Sequence, residues 1–182
     1  MNTFLIILFT IIVLVLLVGI LYIYFYNKIN DTIIRVNEAE NRIDDNLRDK
    51  YDILNRSVIL IKGKIELDSK MFNDLAKLKA KKISNFDLDR TLVNSHNELL
   101  SVFEDNKELR DSDELYKAIK QLELIDEELI TLRNYYNGNI ASYNKMIKTF
   151  PTLIIAKMKK YNEKLFYDLK DRNDEDYEDF KL

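Results

Sequence analysis

The residues of this sequence that could do metal chemistry are acidic side chains in one short stretch. Four carboxylates follow each other there: Asp44, Asp45, Asp49 and Asp52. A hard cation such as Ca²⁺ needs several oxygen ligands that converge on one point. Arg48 and Lys50 interrupt the run, and the spacing distributes the carboxylates around a helix. We therefore predict a solvated helix face here, not a metal site.

Other catalytic and cofactor chemistry has little support in the sequence. His96 is the only histidine and the chain has no cysteine, so a transition-metal ligand set cannot be assembled. We predict that His96 is exposed on a helix. The chain also lacks a glycine-rich phosphate loop, a nucleophile elbow and an HExxH motif. Carboxylates and tyrosines could do acid–base chemistry if a pocket gathered them, but we predict a protein that is not an enzyme and needs no cofactor.

A repeated dipeptide is more distinctive. Tyr136-Asn137 and Tyr143-Asn144 lie one heptad apart. The tyrosine rings could pack between helices while the asparagine amides bridge to a neighbouring helix and fix its register. Alternatively, the pairs could form a polar groove that binds a peptide or another ligand. The apolar residues at the same spacing favour the packing interpretation.

Composition predicts that the elements carrying these residues are helices. The chain has 182 residues with 3 Gly and 1 Pro, too few turn-formers for a sheet of many short strands. The net charge of -3 is too mild to imply a polyanionic partner, and the lysines do not interleave with exposed aromatic residues. We therefore predict an all-α protein that does not bind nucleic acid.

The N-terminal segment predicts a membrane anchor. Residues 4–26 carry no charge and would span about 34 Å as a helix. The segment lacks the features of a secretory signal peptide, which are a basic start, a short apolar core and a cleavage site. Tyr22, Tyr24 and Tyr26 cluster at one end, where tyrosine rings favour the headgroup level. We predict an uncleaved single-pass anchor over residues 1–27.

The charges that flank this span predict its orientation. Lys or Arg does not occur before it, and four basic residues follow it: Lys28, Arg35, Arg42 and Arg48. By the positive-inside rule, the N-terminus should lie outside the cell membrane and the remaining chain in the cytoplasm.

Heptad-like apolar spacing predicts long helices after the anchor. The first is uninterrupted from the membrane and carries Ile43, Leu47, Tyr51, Leu54, Val58, Ile61 and Ile65. A bend is predicted near residues 77–87 and a second helix over residues 88–108. A third helix should begin at Asp111 or Ser112 as N-cap and end near Phe150, before Pro151. Its apolar line is Leu115, Ile119, Leu122, Ile125, Leu129, Leu132, Tyr136, Ile140, Tyr143, Ile147 and Phe150.

The C-terminal part contains a lysine-rich segment and an acidic tail. A last helix is predicted over residues 152–169, followed by a flexible tail over residues 169–182. Six lysines surround the apolar residues of this helix: Lys145, Lys148, Lys157, Lys159, Lys160 and Lys164. They could bind anionic lipid headgroups, with Lys157, Lys159, Lys160 and Lys164 as the contacts. The alternative is a helix that covers the end of the bundle with its lysines in water.

Two blocks of residues carry a family resemblance. The first block contains Tyr26-Asn27, Val36, Ala39, Ile43-Asp44, Leu47 and Tyr51. The second contains Arg133, Tyr136-Asn137, Ile140, Tyr143-Asn144, Ile147 and Phe150-Pro151. In order and spacing they resemble the LemA family of bacterial membrane proteins. Asn55-Arg56 replaces the usual proline and asparagine of that family, which bears on a kink in the first helix, and Glu127 and Leu129 replace its common asparagine and isoleucine.

The resemblance implies an N-terminally anchored, elongated antiparallel helical bundle over residues 28–168. It does not imply a biochemical activity. The leading hypothesis is an interaction scaffold that binds another protein or a second copy of itself through its charged faces. The alternative is a membrane-surface regulator that binds anionic lipid through the last helix.

Overall fold

The computed structural model describes residues 2–66, 72–78 and 85–167 and confirms the all-α prediction. The described residues form six helices and no strand. Their bounds are α1 Asn2–Lys62, α2 Asn73–Lys77, α3 Asn85–Asp105, α4 Lys107–Arg110, α5 Asp113–Lys148 and α6 Thr152–Lys159. The predicted acidic tail and most of the predicted bend lie outside the described residues.

Helix α1 is a single helix of 61 residues that contains the apolar segment and the first amphipathic segment. It is therefore uninterrupted, as the sequence predicts. An 18-residue window near its N-terminus reaches a mean hydropathy of 3.5, and none of that window is buried. By length and composition, this part of α1 could cross a membrane.

The predicted bounds of α5 are close to those observed. Ser112 precedes its first residue, and the Ser112 carbonyl accepts a hydrogen bond from the Tyr116 N–H at 3.0 Å. Asp113 and Glu114 then place negative charge at the N-terminal end of the helix dipole. The helix ends at Lys148, shortly before Pro151, which has no N–H to continue it.

The chain divides into two compact units, one of which combines Met1–Glu38 with Asn137–Leu165. The core of this unit brings together five buried residues from α1, α5 and α6: Ile29, Tyr143, Ile147, Ile155 and Ala156. Tyr22, Phe25 and Tyr26, at the end of the apolar segment, pack against this core. We call the five buried residues the anchor-side core.

The second unit combines the described residues of Ala39–Tyr136 with Phe166 and Tyr167. Its core is built from leucines of α1, α3 and α5 that are completely buried: Leu47, Leu54, Leu92, Leu99, Leu122 and Leu129. Lys50 contacts Asp126, whereas Leu60, later in α1, lies near Glu114, earlier in α5. Helices α1 and α5 are therefore antiparallel within this unit.

The last helix is shorter than predicted. Helix α6 ends at Lys159, and Lys160 takes a left-handed conformation with φ of 54°. The Tyr161 N–H then bonds back to the Ala156 carbonyl at 2.9 Å, which closes the helix. The prediction of a helix over residues 152–169 is therefore wrong, because residues 161–166 run as a non-helical segment along α5.

Candidate functional site

The second Tyr-Asn pair binds the segment that follows α6. The side-chain amide of Asn144 donates to the Lys164 carbonyl at 2.8 Å, and its Oδ1 accepts from the Lys164 N–H at 2.9 Å. Both backbone groups of one residue are thus held by one side chain. Residues 161–166 lack the hydrogen bonds of a helix, so these contacts satisfy groups that would otherwise depend on water. We call this arrangement the Asn144 clamp.

Tyr143 contributes to the same contact from the core. Its hydroxyl donates to the Asn162 carbonyl at 3.1 Å, and its ring lies 6.4 Å from the ring of Tyr161. Burial raises the pKa of the Tyr143 hydroxyl above its ordinary value, and Tyr161 adds to the shift. The neutral phenol therefore acts as a hydrogen-bond donor here. The Lys164 ammonium lies 5.9 Å from the centre of the Tyr143 ring.

The first Tyr-Asn pair lies in the other unit. Tyr136 is buried, and its ring meets the ring of Tyr167 edge to face at 6.1 Å. Arg133 lies over the same Tyr167 ring at 5.6 Å. Asn137 is half-buried. In both units, aromatic residues of the repeated motif therefore pack against the chain that follows α6.

This arrangement corrects one sequence-based interpretation. The asparagines of the repeat were predicted to bridge to a neighbouring helix and fix its register. The partner of Asn144 is instead the backbone of a non-helical segment. Tyr136 and Tyr143 are both buried in the apolar line, as the packing interpretation predicts.

The other predicted motif residues occupy several different environments. Ile43 and Ile140 are buried, whereas Asp44 is half-buried. Tyr26 is half-buried and Asn27 is exposed. The remaining two lie at the start of the last helix: Pro151 is half-buried and Phe150 is 80% exposed. The predicted apolar line of α5 therefore ends at Ile147, and the assignment of Phe150 to it is wrong.

A buried ionic cluster in the second unit was not predicted. Lys50 is completely buried and forms an ion pair with Asp126. The other carboxylate oxygen of Asp126 lies 2.8 Å from Nδ1 of His96. A carboxylate can only accept, so Nδ1 carries the proton, and the buried Nε2 has no partner. The prediction that His96 is exposed is wrong, and the solvated face predicted for the nearby carboxylates does not include Lys50.

A second ion pair lies on the same two helices, α3 and α5. Asp89 is buried and pairs with Arg133, the motif residue that also covers Tyr167. The second carboxylate oxygen of Asp89 and the Nε of Arg133 are buried without a hydrogen-bond partner. Among the residues described, no group of three or more His, Asp or Glu side chains is placed so that it could hold a metal ion. The cluster therefore connects three helices by ionic pairs.

A sequence signal for this cluster does exist. Each of its members follows or precedes buried leucines at the spacing of a helix seam. Lys50 lies between Leu47 and Leu54, and Asp126 lies between Leu122 and Leu129. His96 lies in the same way between Leu92 and Leu99. Polar residues on the apolar lines of three helices indicate that these residues pair with each other in the core.

Asp126 and Asp89 belong to different ion pairs, and their pKa values are expected to shift in opposite directions from the ordinary value of an aspartate. Burial alone would raise the pKa of Asp126, but hydrogen bonds from His96 and Lys50 lower it below that value. Burial raises the pKa of Asp89, and the Arg133 guanidinium offsets only part of this effect. Carbon-13 NMR of the side-chain carboxyls should give a midpoint below about 3.9 for Asp126 and above it for Asp89. The reverse order would contradict the described geometry.

The lowered pKa of Asp126 also predicts how the stability of the folded state depends on pH. Its carboxylate stabilises the folded state above the unfolded pKa of about 3.9, and this contribution is lost as the pH falls through the folded pKa. The stability difference between the wild type and Asp126→Asn should therefore shrink as the pH falls below about 4. Thermal unfolding of both proteins across that range measures it.

The predicted lipid-contact lysines divide into two groups. Lys157, Lys159 and Lys160 are exposed on and just after α6. Lys164 is half-buried, with its ammonium over the Tyr143 ring. Glu163 is the only acidic residue between Lys145 and Lys164, and it pairs with Lys148 at 2.7 Å. The first three lysines therefore form an exposed cationic patch.

Comparison with known proteins identifies the family. A search of the curated proteins finds none that matches this chain. The model of the LemA family matches residues 39–178, which include both Tyr-Asn pairs, the buried ionic cluster and α6. The match begins after Tyr26-Asn27, so these two residues lie outside it. Because the match covers most of the chain, the protein belongs to the LemA family.

Proposed function

We propose that this protein is a single-pass membrane protein whose helical part is a non-enzymatic interaction scaffold on the cytoplasmic side. The observation that supports it best is the continuity of α1. The same helix carries an exposed apolar segment at one end and buried core residues at the other. A helix of this kind attaches a folded helical part to a membrane without an intervening linker.

The described surface agrees with binding rather than catalysis. The cavities along α1 and α5 are open and mixed in polarity, lined by residues such as Asp52, Arg56 and Gln121. The buried charged groups of α1, α3 and α5 pair with each other between helices. The proposed partner is another protein or a second copy of the chain, recognised through charged helix faces.

Crosslinking in cells tests the scaffold proposal. The tagged full-length chain is crosslinked, purified in mild detergent and identified with its partners by mass spectrometry. A reproducible second protein, or a self-crosslink between defined faces, is the expected result. A charge-reversed Arg56→Glu variant should reduce a crosslink on the α1 face, whereas Lys107→Glu serves as the matched control on α4. Recovery of the chain without any crosslinked protein would contradict the proposal.

The cytoplasmic orientation is testable because the chain has no cysteine. Single cysteines at Asn2 and Gly138 can be labelled with a membrane-impermeant maleimide in intact cells. A Cβ atom added at Gly138 would meet no atom of the surrounding protein within 4 Å beyond its own turn of helix, so the substitution should be tolerated. We expect labelling at position 2 and protection at position 138 until the cells are lysed. The opposite pattern would reverse the orientation.

A second function is favoured by the position of α6. Lys159 lies over the ring of Tyr26 at 5.4 Å, and Tyr26 ends the apolar segment of α1. The cationic patch of Lys157, Lys159 and Lys160 is thus next to the level at which a spanning helix would meet headgroups. The alternative proposal is therefore a membrane-surface regulator that binds anionic lipid.

A further inference from the structure

We infer that α6 and the turn before it insert apolar side chains into the interface of the same membrane that α1 crosses. The inference rests on the proposed anchor and deepens the lipid-binding alternative. The lipid-binding alternative involves only electrostatic contacts of lysines with headgroups. The inference adds an apolar contact of α6 with the bilayer interface. The partner is a phospholipid bilayer with anionic headgroups.

The depth of α6 follows from the length of the exposed part of α1. All side chains of residues 3–21 are exposed, and burial begins at Tyr22. Residues 4–21 span about 27 Å as a helix, close to the thickness of the hydrocarbon layer. The anchor-side core then starts where that layer would end, because Tyr22, Phe25 and Tyr26 pack against it.

Helix α6 belongs to this anchor-side core. Ile155 and Ala156 on its inner face are buried in the cluster that also contains Ile29. After the helix, the Tyr161 hydroxyl donates to Oδ1 of Asn30 at 3.3 Å. Both contacts hold α6 beside the end of the apolar segment, within the same compact unit.

The outer face of α6 is apolar where a water-exposed helix would be polar. Ile154 and Met158 lie one turn apart and are 54% and 66% exposed. Phe150, in the turn before the helix, is 80% exposed. Lys157, Lys159 and Lys160 flank these residues, and Glu163 already pairs with Lys148. Exposed apolar side chains with lysines beside them are typical of a helix at a bilayer surface.

Depth-dependent quenching of fluorescence tests the inference in the full chain. The protein has no tryptophan, so a single introduced tryptophan reports one position. The test positions are Ile154→Trp and Met158→Trp, in vesicles of anionic and neutral lipids brominated near the carbonyl end of the chains. Ile12→Trp, inside the apolar segment, reports the anchor itself with lipids brominated deeper. Leu124→Trp, an exposed apolar position in the second unit, is the matched comparison.

We expect quenching by at least about twofold at Ile154→Trp and Met158→Trp, with an emission maximum shifted to the blue. Leu124→Trp should be unaffected. In the Met158→Trp background, Lys157→Gln with Lys159→Gln and Lys160→Gln should remove about half of the quenching by anionic lipid. The matched triple of Lys62→Gln, Lys107→Gln and Lys117→Gln, exposed lysines of the second unit, should leave it unchanged.

The outcomes separate the inference from the proposed anchor. If Ile12→Trp is not quenched, the anchor itself is wrong. If Ile12→Trp is quenched but both α6 positions are not, the anchor is supported and the inference is overturned. A blue-shifted emission at Met158→Trp without quenching would also overturn it, since the outer face of α6 would then contact protein instead of lipid.

Discussion

Replacement of Asp126 by alanine is expected to destabilise the protein by about 3 kcal/mol. The reason is Lys50, which is completely buried and has Asp126 as its ionic partner. Removal of the carboxylate leaves the buried Lys50 ammonium without its ion-pair partner and takes the hydrogen-bond partner of His96 away. The lower end of the range for a broken buried pair is appropriate, because Asp126 is itself 32% exposed. Thermal unfolding of the full chain in detergent, followed by circular dichroism, measures the loss.

The matched variants distinguish a buried charge from a general loss of helix stability. Lys50→Met combined with Asp126→Ala removes both charges and should recover most of the lost stability. Glu123→Ala, on the same helix, removes an exposed carboxylate that pairs with the exposed Lys120, and should change stability by less than about 1 kcal/mol. Equal effects of Asp126→Ala and Glu123→Ala would show that Lys50 is not enclosed.

Replacement of Asn144 by alanine is expected to release the segment after α6. The variant loses both hydrogen bonds of the Asn144 clamp. The Lys164 amide should then exchange with solvent at least about tenfold faster, which corresponds to ~1.4 kcal/mol of local stability. Hydrogen exchange detected by mass spectrometry over residues 160–167 measures the change.

Two further variants make this expectation specific. Asn144→Asp keeps an oxygen that can accept from the Lys164 N–H but loses the donor, so an intermediate rate is expected. Ser142→Ala alters an exposed hydroxyl that bonds only the Gly138 carbonyl of its own helix, and should leave exchange unchanged. Unaltered exchange in Asn144→Ala would mean that the clamp does not hold the segment in solution.

Much of the fold could be predicted because the residues that start and end most helices lie next to those ends in the sequence. Two acidic residues in the first turn favour the start of α5, and Pro151 follows shortly after its end at Lys148. The end of α6 could not be predicted in this way. Residues 160–167 have ordinary helix formers, but side chains of α5 about twenty residues away bind their backbone. Tertiary contacts overrode the local preference there.

The candidate site was predictable only in part, for a related reason. Tyr136 and Tyr143 were identified because apolar neighbours at heptad spacing surround them. The ionic cluster joins residues separated by 76 and 30 positions, so the pairing itself leaves no trace in local spacing. The available signal was one charged or imidazole group on the apolar line of each helix. The spacing of the neighbouring carboxylates and basic residues instead favoured a solvated face around Lys50.

The Asn144 clamp has a consequence for how the sequence can vary. The two hydrogen bonds of Asn144 go to the N–H and the carbonyl at position 164, which every residue except proline provides. Position 144 should therefore be restricted to asparagine or a similar amide. Position 164 should accept almost any residue, with only the modest contribution of the Lys164 ammonium over the Tyr143 ring at stake. Position 144 should thus be substituted more rarely than position 164, because the contact uses the side chain at position 144 and only the backbone at position 164.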